Sequence, residues 1–224
     1  MTERVAIRGN EANGEITATG VVVVLRGNFG SATVDIVHAL YSAGIRAIEV
    51  TMNSPGAADS THCLAKAFGT TMSVGSGTVL SSEETRVAFD AGATFIVSPN
   101  IDPSVIESTK KLGMASYPGA ATCTEILLGL RHGADAIKIF PASAQSPADL
   151  GVLRGPLGDV RFIPTGGITP ELCKDYIAHG AWAVGVGSNL VNASNPKPHA
   201  QIEREAKAYL QAVAAGKAAA AGKV

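Results

Sequence analysis

The sequence has few of the residues that build disulfide frameworks, metal centres and membrane spans. Its 224 residues include only three cysteines, Cys63, Cys123 and Cys173, which lack metal-ligand or redox spacing. The net charge is −1, and no basic run is present that would bind a nucleic-acid backbone. No apolar stretch is long enough to span a bilayer, and residues 1–20 lack the apolar segment of a signal peptide. These absences favour a cytoplasmic enzyme that works without a metal.

Glycines recur along the chain at regular intervals and divide it into similar units. Each one follows a segment that suits a helix, and a glycine just past a helix end closes the last turn in the left-handed conformation. The intervals are 20–25 residues, which is the length of one strand plus one helix. The positions are Gly44, Gly69, Gly92, Gly113, Gly133, Gly158 and Gly180.

Eight short apolar runs lie between these glycines and the predicted helix starts. The starts are marked by capping residues, either Ser or Thr with Glu three residues later or a cap residue before proline. Because the runs are apolar almost throughout, they predict parallel strands covered by helices. We therefore expect one α/β domain, a (β/α)8 TIM barrel, with a doubly wound open sheet as the alternative. The runs are 21–26, 46–52, 72–79, 94–99, 114–118, 135–141, 160–165 and 182–188.

The predicted barrel domain covers residues 21–215. Residues 1–20 form an N-terminal extension whose structure is left open, because Gly9, Gly14 and Gly20 make a poor helix. Residues 216–224 are alanine-rich, and we expect them to fray from the last helix.

Lys138 lies in the middle of the sixth apolar run. Strand side chains alternate between two faces, so Lys138 points away from Ile137 and Ile139 and into the barrel. On the second run, Glu49 points inward in the same way. A buried lysine and a buried carboxylate are each costly alone, so we expect them to share one site. A core ion pair without catalytic function is the alternative.

Glycines follow the seventh and eighth strands, in Thr165-Gly166-Gly167 and in Gly185-Val186-Gly187-Ser188-Asn189. They expose backbone N–H groups, which we expect at helix N-termini where an anion binds well. Barrel enzymes commonly hold a substrate phosphate at these two loops. The pattern therefore predicts a phosphate site, although glycines that only permit tight turns would give the same residues.

A buried lysine, a carboxylate and a phosphate site together suit metal-free aldol chemistry. The amine forms a Schiff base with a ketone, and the carboxylate moves protons during carbon–carbon cleavage. One alternative is a phosphate-binding isomerase or synthase in which Glu49 is the base and Lys138 an electrostatic partner. Another is a barrel that only binds a phosphorylated ligand.

Between about Val21 and Leu190 the chain resembles the KDPG/KHG aldolase family. These are class I aldolases that split 2-keto-3-deoxy-6-phospho sugar acids, and KDPG is the gluconate member of these substrates. The resemblance depends on the order and spacing of five motifs. They are Leu25-Arg26-Gly27, Ile48-Glu49-Val50-Thr51, Gly75-Ser76-Gly77-Thr78-Val79-Leu80, Lys138-Ile139-Phe140-Pro141 and Pro164-Thr165-Gly166-Gly167-Ile168.

The resemblance implies a role for each matching residue. Lys138 would form the Schiff base, Glu49 would be the general acid and base, and Thr78 would hold the pyruvyl carboxylate. The family needs no cofactor and is typically a cytoplasmic homotrimer. The substrate-binding residues that it implies are Arg26, Thr78, Pro99, Thr165, Gly166, Gly167, Gly187 and Ser188.

Asn53 departs from the gluconate-type pattern, in which an arginine usually binds the substrate carboxylate. The Asn53-Ser54-Pro55 segment is more similar to the galactonate-type branch. That branch cleaves 2-dehydro-3-deoxy-6-phosphogalactonate to pyruvate and D-glyceraldehyde 3-phosphate. KDPG and 4-hydroxy-2-oxoglutarate are the alternative substrates. Without the arginine, the carboxylate is left to Thr78, backbone groups and Arg26.

Overall fold

The structure, a computed structural model, describes residues 2–222. Strands alternate with helices along the chain, and each of the eight predicted runs contains a strand. A further short strand follows Pro118, just past the fifth run. The strands are β1 (Val21–Leu25), β2 (Ala47–Thr51), β3 (Ser73–Gly77), β4 (Phe95–Val97), β5 (Ala115–Tyr117), β6 (Gly119–Ala120), β7 (Ile137–Ile139), β8 (Phe162–Pro164) and β9 (Val184–Val186).

Five of the described helices begin at the predicted capping residues. Ser81, Asp102, Thr122, Ser146 and Thr169 each accept a backbone hydrogen bond from the first turn of the helix that follows. The helices are α1 (Thr2–Thr19), α2 (Thr33–Ala43), α3 (Ala57–Phe68), α4 (Ser82–Asp90), α5 (Pro103–Lys111), α6 (Cys123–Arg131), α7 (Pro147–Leu157), α8 (Pro170–Ala178) and α9 (His199–Ala221).

Six of the seven predicted helix-stop glycines adopt a positive φ, as expected. Gly69 is the exception, with a φ of −61°, so its prediction as a left-handed stop is wrong. Its amide still donates to Ala65 O, and the chain leaves α3 through a further turn in which Thr71 and Met72 both donate to Phe68 O.

All strand pairs are parallel and fall into two sheets. The larger is a curled six-stranded sheet in the order β5-β4-β3-β2-β1-β9, and the smaller has the order β6-β7-β8. The sheets meet at two places. Pro118 alone separates β5 from β6, and Thr165, just after β8, forms an isolated parallel bridge with Gly185 of β9. The parallel α/β class predicted from the sequence is therefore confirmed.

Side-chain alternation along the strands separates two apolar layers. Ile48, Val50, Ile137 and Ile139 pack in the layer beneath the helices. The interior layer contains Val22, Phe95, Tyr117, Ala136 and Ile163. The alternation therefore directs Glu49 and Lys138 into the interior, as the sequence predicted.

Helix α1 covers the amino ends of the strands, where the sequence left the structure open. Gly9 does not interrupt the helix, because it lies directly against the start of β5. Its amide donates to Gly113 O at 3.1 Å, and a Cβ on Gly9 would lie 2.9 Å from Ala115 N. Ala12 and Ile16 of α1 are fully buried in the interior layer.

Helix α9 is longer than expected. It runs to Ala221, so the predicted fraying of 216–224 is wrong for 216–221, while 223–224 lie outside the described residues. Gly216 is buried where α9 approaches α8, and a Cβ there would lie 2.6 Å from Lys174 O. This close contact holds the alanine-rich end as a helix. None of the described helices is long and apolar enough to cross a membrane.

We predict that Ile16→Ala lowers the free energy of unfolding by about 2–5 kcal/mol, because it removes a fully buried side chain from the interior layer. Urea denaturation measures the change. Glu11→Ala, at an exposed position of the same helix, is the control and should change the value by no more than about 0.5 kcal/mol. Equal, small effects in both variants would mean that α1 does not seal the core.

Candidate active site

A cavity of about 780 Å³ opens at the carboxyl ends of the strands. The segments that follow β1, β7, β8 and β9 supply its walls, and Lys138 lies on its floor. This is the end of the strands at which parallel α/β folds carry their functional groups. The predicted residues that line it are Arg26, Lys138, Thr165, Gly166, Gly167, Gly187 and Ser188.

Lys138 and Glu49 also border a narrow void of about 10 Å³ beneath the cavity, together with Tyr117 and Thr165. Lys138 is 6% exposed and Glu49 is 2% exposed. They come from opposite parts of the strand layer, β7 and β2. No ion pair within 4.0 Å joins them in the part of the chain that the structure describes. The two groups therefore share one buried site without being locked together.

Burial dominates the electrostatics of this pair. It raises the pKa of Glu49, and the nearby charges of Lys138 and Arg26 offset that effect only in part. Burial also lowers the pKa of Lys138, Glu49 opposes the change, and the charge of Arg26 adds to it. Both shifts favour the uncharged forms, a free amine and a protonated carboxyl. An uncharged lysine amine is a nucleophile towards a carbonyl carbon.

Gly77 makes room for the Glu49 carboxyl. A Cβ at Gly77 would lie 2.6 Å from Glu49 Oε1 and 2.7 Å from its Cδ. Gly75, two residues earlier on the same face of β3, likewise faces the Phe95 ring. Glu49 Oε2 is buried without a hydrogen-bond partner among the described residues. The carboxyl is thus confined by shape and keeps one oxygen free for hydrogen bonding.

Phe140 covers Lys138 on the cavity side. The Lys138 Nζ lies 4.7 Å from the centre of the Phe140 ring, which is a cation–π distance when the amine is charged. Strand alternation places both residues on one face, so this contact could be expected from their spacing. The ring is 38% exposed and forms part of the cavity wall.

Arg26, which follows β1, is hydrogen-bonded at the mouth of the cavity to one residue after β2 and one residue after β3. Its Nη1 donates to Asn53 Oδ1 at 2.9 Å, and its Nη2 donates to Thr78 Oγ1 at 3.1 Å. Thr78 has a φ of +55°, a left-handed conformation that a β-branched residue rarely adopts. Asn53, which stands where an arginine was expected, therefore holds Arg26, the residue that follows β1, in place.

The loops after β8 and β9 differ from each other. Gly166 and Gly167 have φ values of +105° and +70° and precede α8, whose cap is Thr169. Gly187 and Ser188 lead into a turn in which Leu190 N donates to Gly187 O at 2.9 Å. Because the next helix, α9, begins only at His199, the prediction of a helix N-terminus directly after β9 is wrong.

Two predicted residues stand apart from the cavity wall. Pro99 is partly buried just after β4. Its carbonyl packs so closely against Gly119 that position 119 has no room for a side chain. Thr78 reaches the cavity through its hydrogen bond to Arg26. Thr165 faces both spaces, and its hydroxyl donates to Ile163 O at 3.1 Å.

Several cavity residues escaped the sequence-based prediction. Four belong to irregular segments without strand or helix periodicity, so only the loop positions could have suggested them. They are Asn28, Asn192, Ala193 and Ser194. Asn189 ends the glycine segment after the eighth strand and Phe140 lies on the predicted face of Lys138, but neither was predicted as a site residue. No group of three or more His, Cys, Asp or Glu side chains within residues that the structure describes is arranged to hold a metal ion.

Known proteins are similar to this chain in both sequence and fold. The model of the family described as KDPG and KHG aldolase matches residues 13–204. The 2-dehydro-3-deoxy-6-phosphogalactonate aldolase of Escherichia coli (strain K12) is 36% identical over 200 residues, which cover 88% of this chain and 98% of that protein. A solved structure described as native KDPGal is 34% identical, with a TM-score of 0.84 over 88% of this chain and 95% of the other.

A third similar protein has been solved with a covalent intermediate. It is the KDPG aldolase of Legionella pneumophila, whose crystal structure holds pyruvate captured at low pH as a covalent carbinolamine intermediate. It is 27% identical, with a TM-score of 0.80 over 88% of this chain and 97% of the other. Together with the family match, these similarities show that the chain belongs to the KDPG and KHG aldolase family of class I, which are lyases that cleave carbon–carbon bonds.

Proposed function

We propose that this protein cleaves 2-dehydro-3-deoxy-6-phosphogalactonate to pyruvate and D-glyceraldehyde 3-phosphate through a Schiff base on Lys138. The observation that carries the proposal is a buried lysine with a lowered pKa, beside a buried carboxyl, on the floor of a large open cavity. The galactonate relative from Escherichia coli and the Asn53-Ser54-Pro55 segment favour this substrate.

Lys138 begins the reaction as the nucleophile. Its neutral amine attacks the C2 ketone to give a carbinolamine, and protonated Glu49 supplies the proton with which the hydroxyl leaves as water. The resulting iminium is an electron sink next to C3. Glu49, now a carboxylate, takes the proton of the C4 hydroxyl, the C3–C4 bond breaks, and its electrons form an enamine.

The cleavage releases D-glyceraldehyde 3-phosphate, with C4 as its aldehyde carbon. Glu49 then returns its proton to C3, either directly or through water. Water then adds to the iminium, and Glu49 takes the proton that this addition releases. Collapse of the carbinolamine frees pyruvate and the Lys138 amine, and Glu49 is again protonated. No electrons leave or enter the site, so the cycle requires no redox partner. The free Oε2 and the raised pKa of Glu49 suit a group that gives and takes a proton at successive steps.

The two ends of the substrate have separate binding groups in this proposal. Arg26 and Thr78 hold the carboxylate next to C2, and Asn53 orients the Arg26 guanidinium. Backbone N–H groups at Gly166, Gly167 and Gly187, with the Ser188 hydroxyl, take the phosphate. Thr165 and Pro99 shape the wall between the ends.

We also propose that the two sheets form one closed (β/α)8 barrel. Hydrogen bonds cross both places where they meet. Asp135 N donates to Ser116 O at 2.9 Å beside the Pro118 interruption, and Trp182 N donates to Phe162 O at 3.0 Å between β8 and β9. A homotrimeric assembly, a cytoplasmic location and independence from metals stay predictions of the family resemblance. Sedimentation velocity would test the trimer.

The gluconate epimer, KDPG, is the second candidate substrate, because a KDPG aldolase is among the similar structures. We expect pyruvate release with a kcat/KM at least about tenfold higher for the galactonate than for the gluconate epimer, as site contacts to one hydroxyl discriminate. A lactate dehydrogenase-coupled assay of both substrates side by side measures this ratio. A higher value for the gluconate epimer would reassign the substrate and leave the aldolase chemistry intact.

We expect Lys138→Met to abolish both turnover and adduct formation with pyruvate and borohydride, since the variant lacks the amine that forms the imine. Mass spectrometry of the reduced protein locates the adduct. Lys111→Met, which removes an exposed lysine of α5, is the control and should keep both activities. An adduct on another lysine, or normal turnover without Lys138, would contradict the role of Lys138, whereas the absence of any adduct in the wild-type protein would favour the isomerase or synthase alternative.

Glu49→Gln should lower kcat by about 10²–10⁴-fold, the contribution of a general acid–base group, because an amide cannot exchange the proton. Steady-state kinetics measures the loss, and pyruvate trapping on Lys138 should become slower. Glu83→Gln, at an exposed residue of α4, serves as the control. A near-normal kcat in Glu49→Gln would reduce Glu49 to a structural residue.

A further inference from the structure

The two proposed phosphate-binding loops meet at one backbone carbonyl. Asn189 Nδ2 donates to Ile168 O at 2.8 Å, and the buried Tyr209 hydroxyl donates to the same oxygen at 2.8 Å. Ile168 directly follows Gly166 and Gly167, whereas Asn189 directly follows Gly187 and Ser188. This shared carbonyl therefore sets the distance between the two groups of N–H donors.

Lys197 anchors Asn189 from behind the cavity. Its ammonium donates to Asn189 O at 2.6 Å and to Glu205 Oε2 at 2.6 Å, and its side chain is only 19% exposed. Gln201 Nε2 holds the other carboxylate oxygen of Glu205 at 2.7 Å. Lys197 thus connects the loop after β9 to α9, the helix that also carries Tyr209.

Glu205 balances the positive charge of Lys197. Burial raises the pKa of Glu205, but the hydrogen bonds from Lys197 and Gln201, together with the charges of Lys197 and Arg204, outweigh it and hold that pKa below its ordinary value. A carboxylate therefore stands beside the ammonium. Because its charge is paired in this way, Lys197 fixes the position of the loop through Asn189 and adds little positive charge to the cavity.

Lys207, which lies on α9, provides a contrast. Lys207 pairs with Glu203 at the same distance, 2.6 Å, but its side chain is 52% exposed and the pair is an i,i+4 contact along the helix. Such exposed pairs contribute little. Of these two lysines, Lys197 is the one that also donates to a residue lining the cavity, Asn189.

We infer that Lys197 is a positioning residue for the substrate phosphate: through Asn189 it holds the Gly187–Ser188 loop at the distance from Gly166–Gly167 that a phosphate spans. The inference rests on the proposed function, since it assumes that these loops take the phosphate. It assigns Lys197 no contact with the substrate. Its loss should therefore weaken recognition of the phosphate and leave the chemistry at Lys138 unchanged.

The test compares phosphorylated and unphosphorylated aldehydes in the condensation direction with saturating pyruvate. For Lys197→Met we expect kcat/KM for D-glyceraldehyde 3-phosphate to fall about tenfold, mainly through KM, as for a lost hydrogen bond to a charged group. The value for D-glyceraldehyde should stay within about twofold of wild type, and so should borohydride trapping of pyruvate. Lys207→Met is the matched control and should change neither aldehyde.

Two further variants keep the inference testable if Lys197→Met does not fold. Asn189→Ala should reproduce the selective loss for the phosphorylated aldehyde, and Lys197→Arg, which keeps donors for Asn189 and Glu205, should retain most of the activity. Equal losses for both aldehydes in Asn189→Ala, or an unchanged KM for D-glyceraldehyde 3-phosphate, would overturn the inference.

The same measurements separate this inference from the proposed function. If wild-type protein traps no pyruvate on Lys138, the Schiff-base mechanism fails. Calorimetric titration with inorganic phosphate then tests the loops alone. Weaker phosphate binding by Lys197→Met than by Lys207→Met would still support the positioning role, and equal binding by the two variants would overturn it.

Discussion

Burial of Lys138 and Glu49 in one apolar interior is the constraint on which the site depends. Charged groups taken out of water lose several kcal/mol of solvation each, and a loosely paired amine and carboxyl recover only part of it. The pKa shifts of the two groups follow from this imbalance, because both favour the uncharged form. Simple apolar residues would pack there more stably, so the fold gives up stability to keep these two groups in its interior. The apolar layers around the pair must therefore supply the stability that burial of the two groups costs.

Packing around the pair shows how the strands accommodate it. Gly75 and Gly77 leave the inward face of β3 without side chains over its last three residues, and the Phe95 ring and the Glu49 carboxyl fill that space. Gly185 does the same for Thr165 where β8 meets β9. Helix α1 covers the amino ends of the strands, and the cavity that reaches Lys138 opens at their carboxyl ends. In the proposed mechanism, substrate therefore enters past Phe140 and Arg26, which line that cavity.

Much of this arrangement follows from local sequence patterns, and the remainder depends on contacts between distant segments. Strand alternation alone directed Lys138 inward, and short-range capping hydrogen bonds fixed the helix starts. The helix α1 was not predictable, because Gly9 has a low helix propensity and its close contact with β5 exists only in the folded chain. Asn189 and Lys197 lie in an irregular segment without periodicity. Their partners, Ile168 and Glu205, come from other elements.

In the proposed mechanism, the polarity of the cavity gives the substrate one orientation. Arg26 supplies a guanidinium on the β1 side, and its hydrogen bonds to Asn53 and Thr78 keep it pointing across the strand ends. The loops after β8 and β9 offer neutral backbone donors instead, held at a fixed separation by α9. A carboxylate gains more from the bidentate guanidinium, whereas a phosphate is surrounded well by converging N–H groups. A substrate with one group at each end would therefore bind with its ketone over Lys138, and the fragment released towards solvent would be the phosphorylated aldehyde.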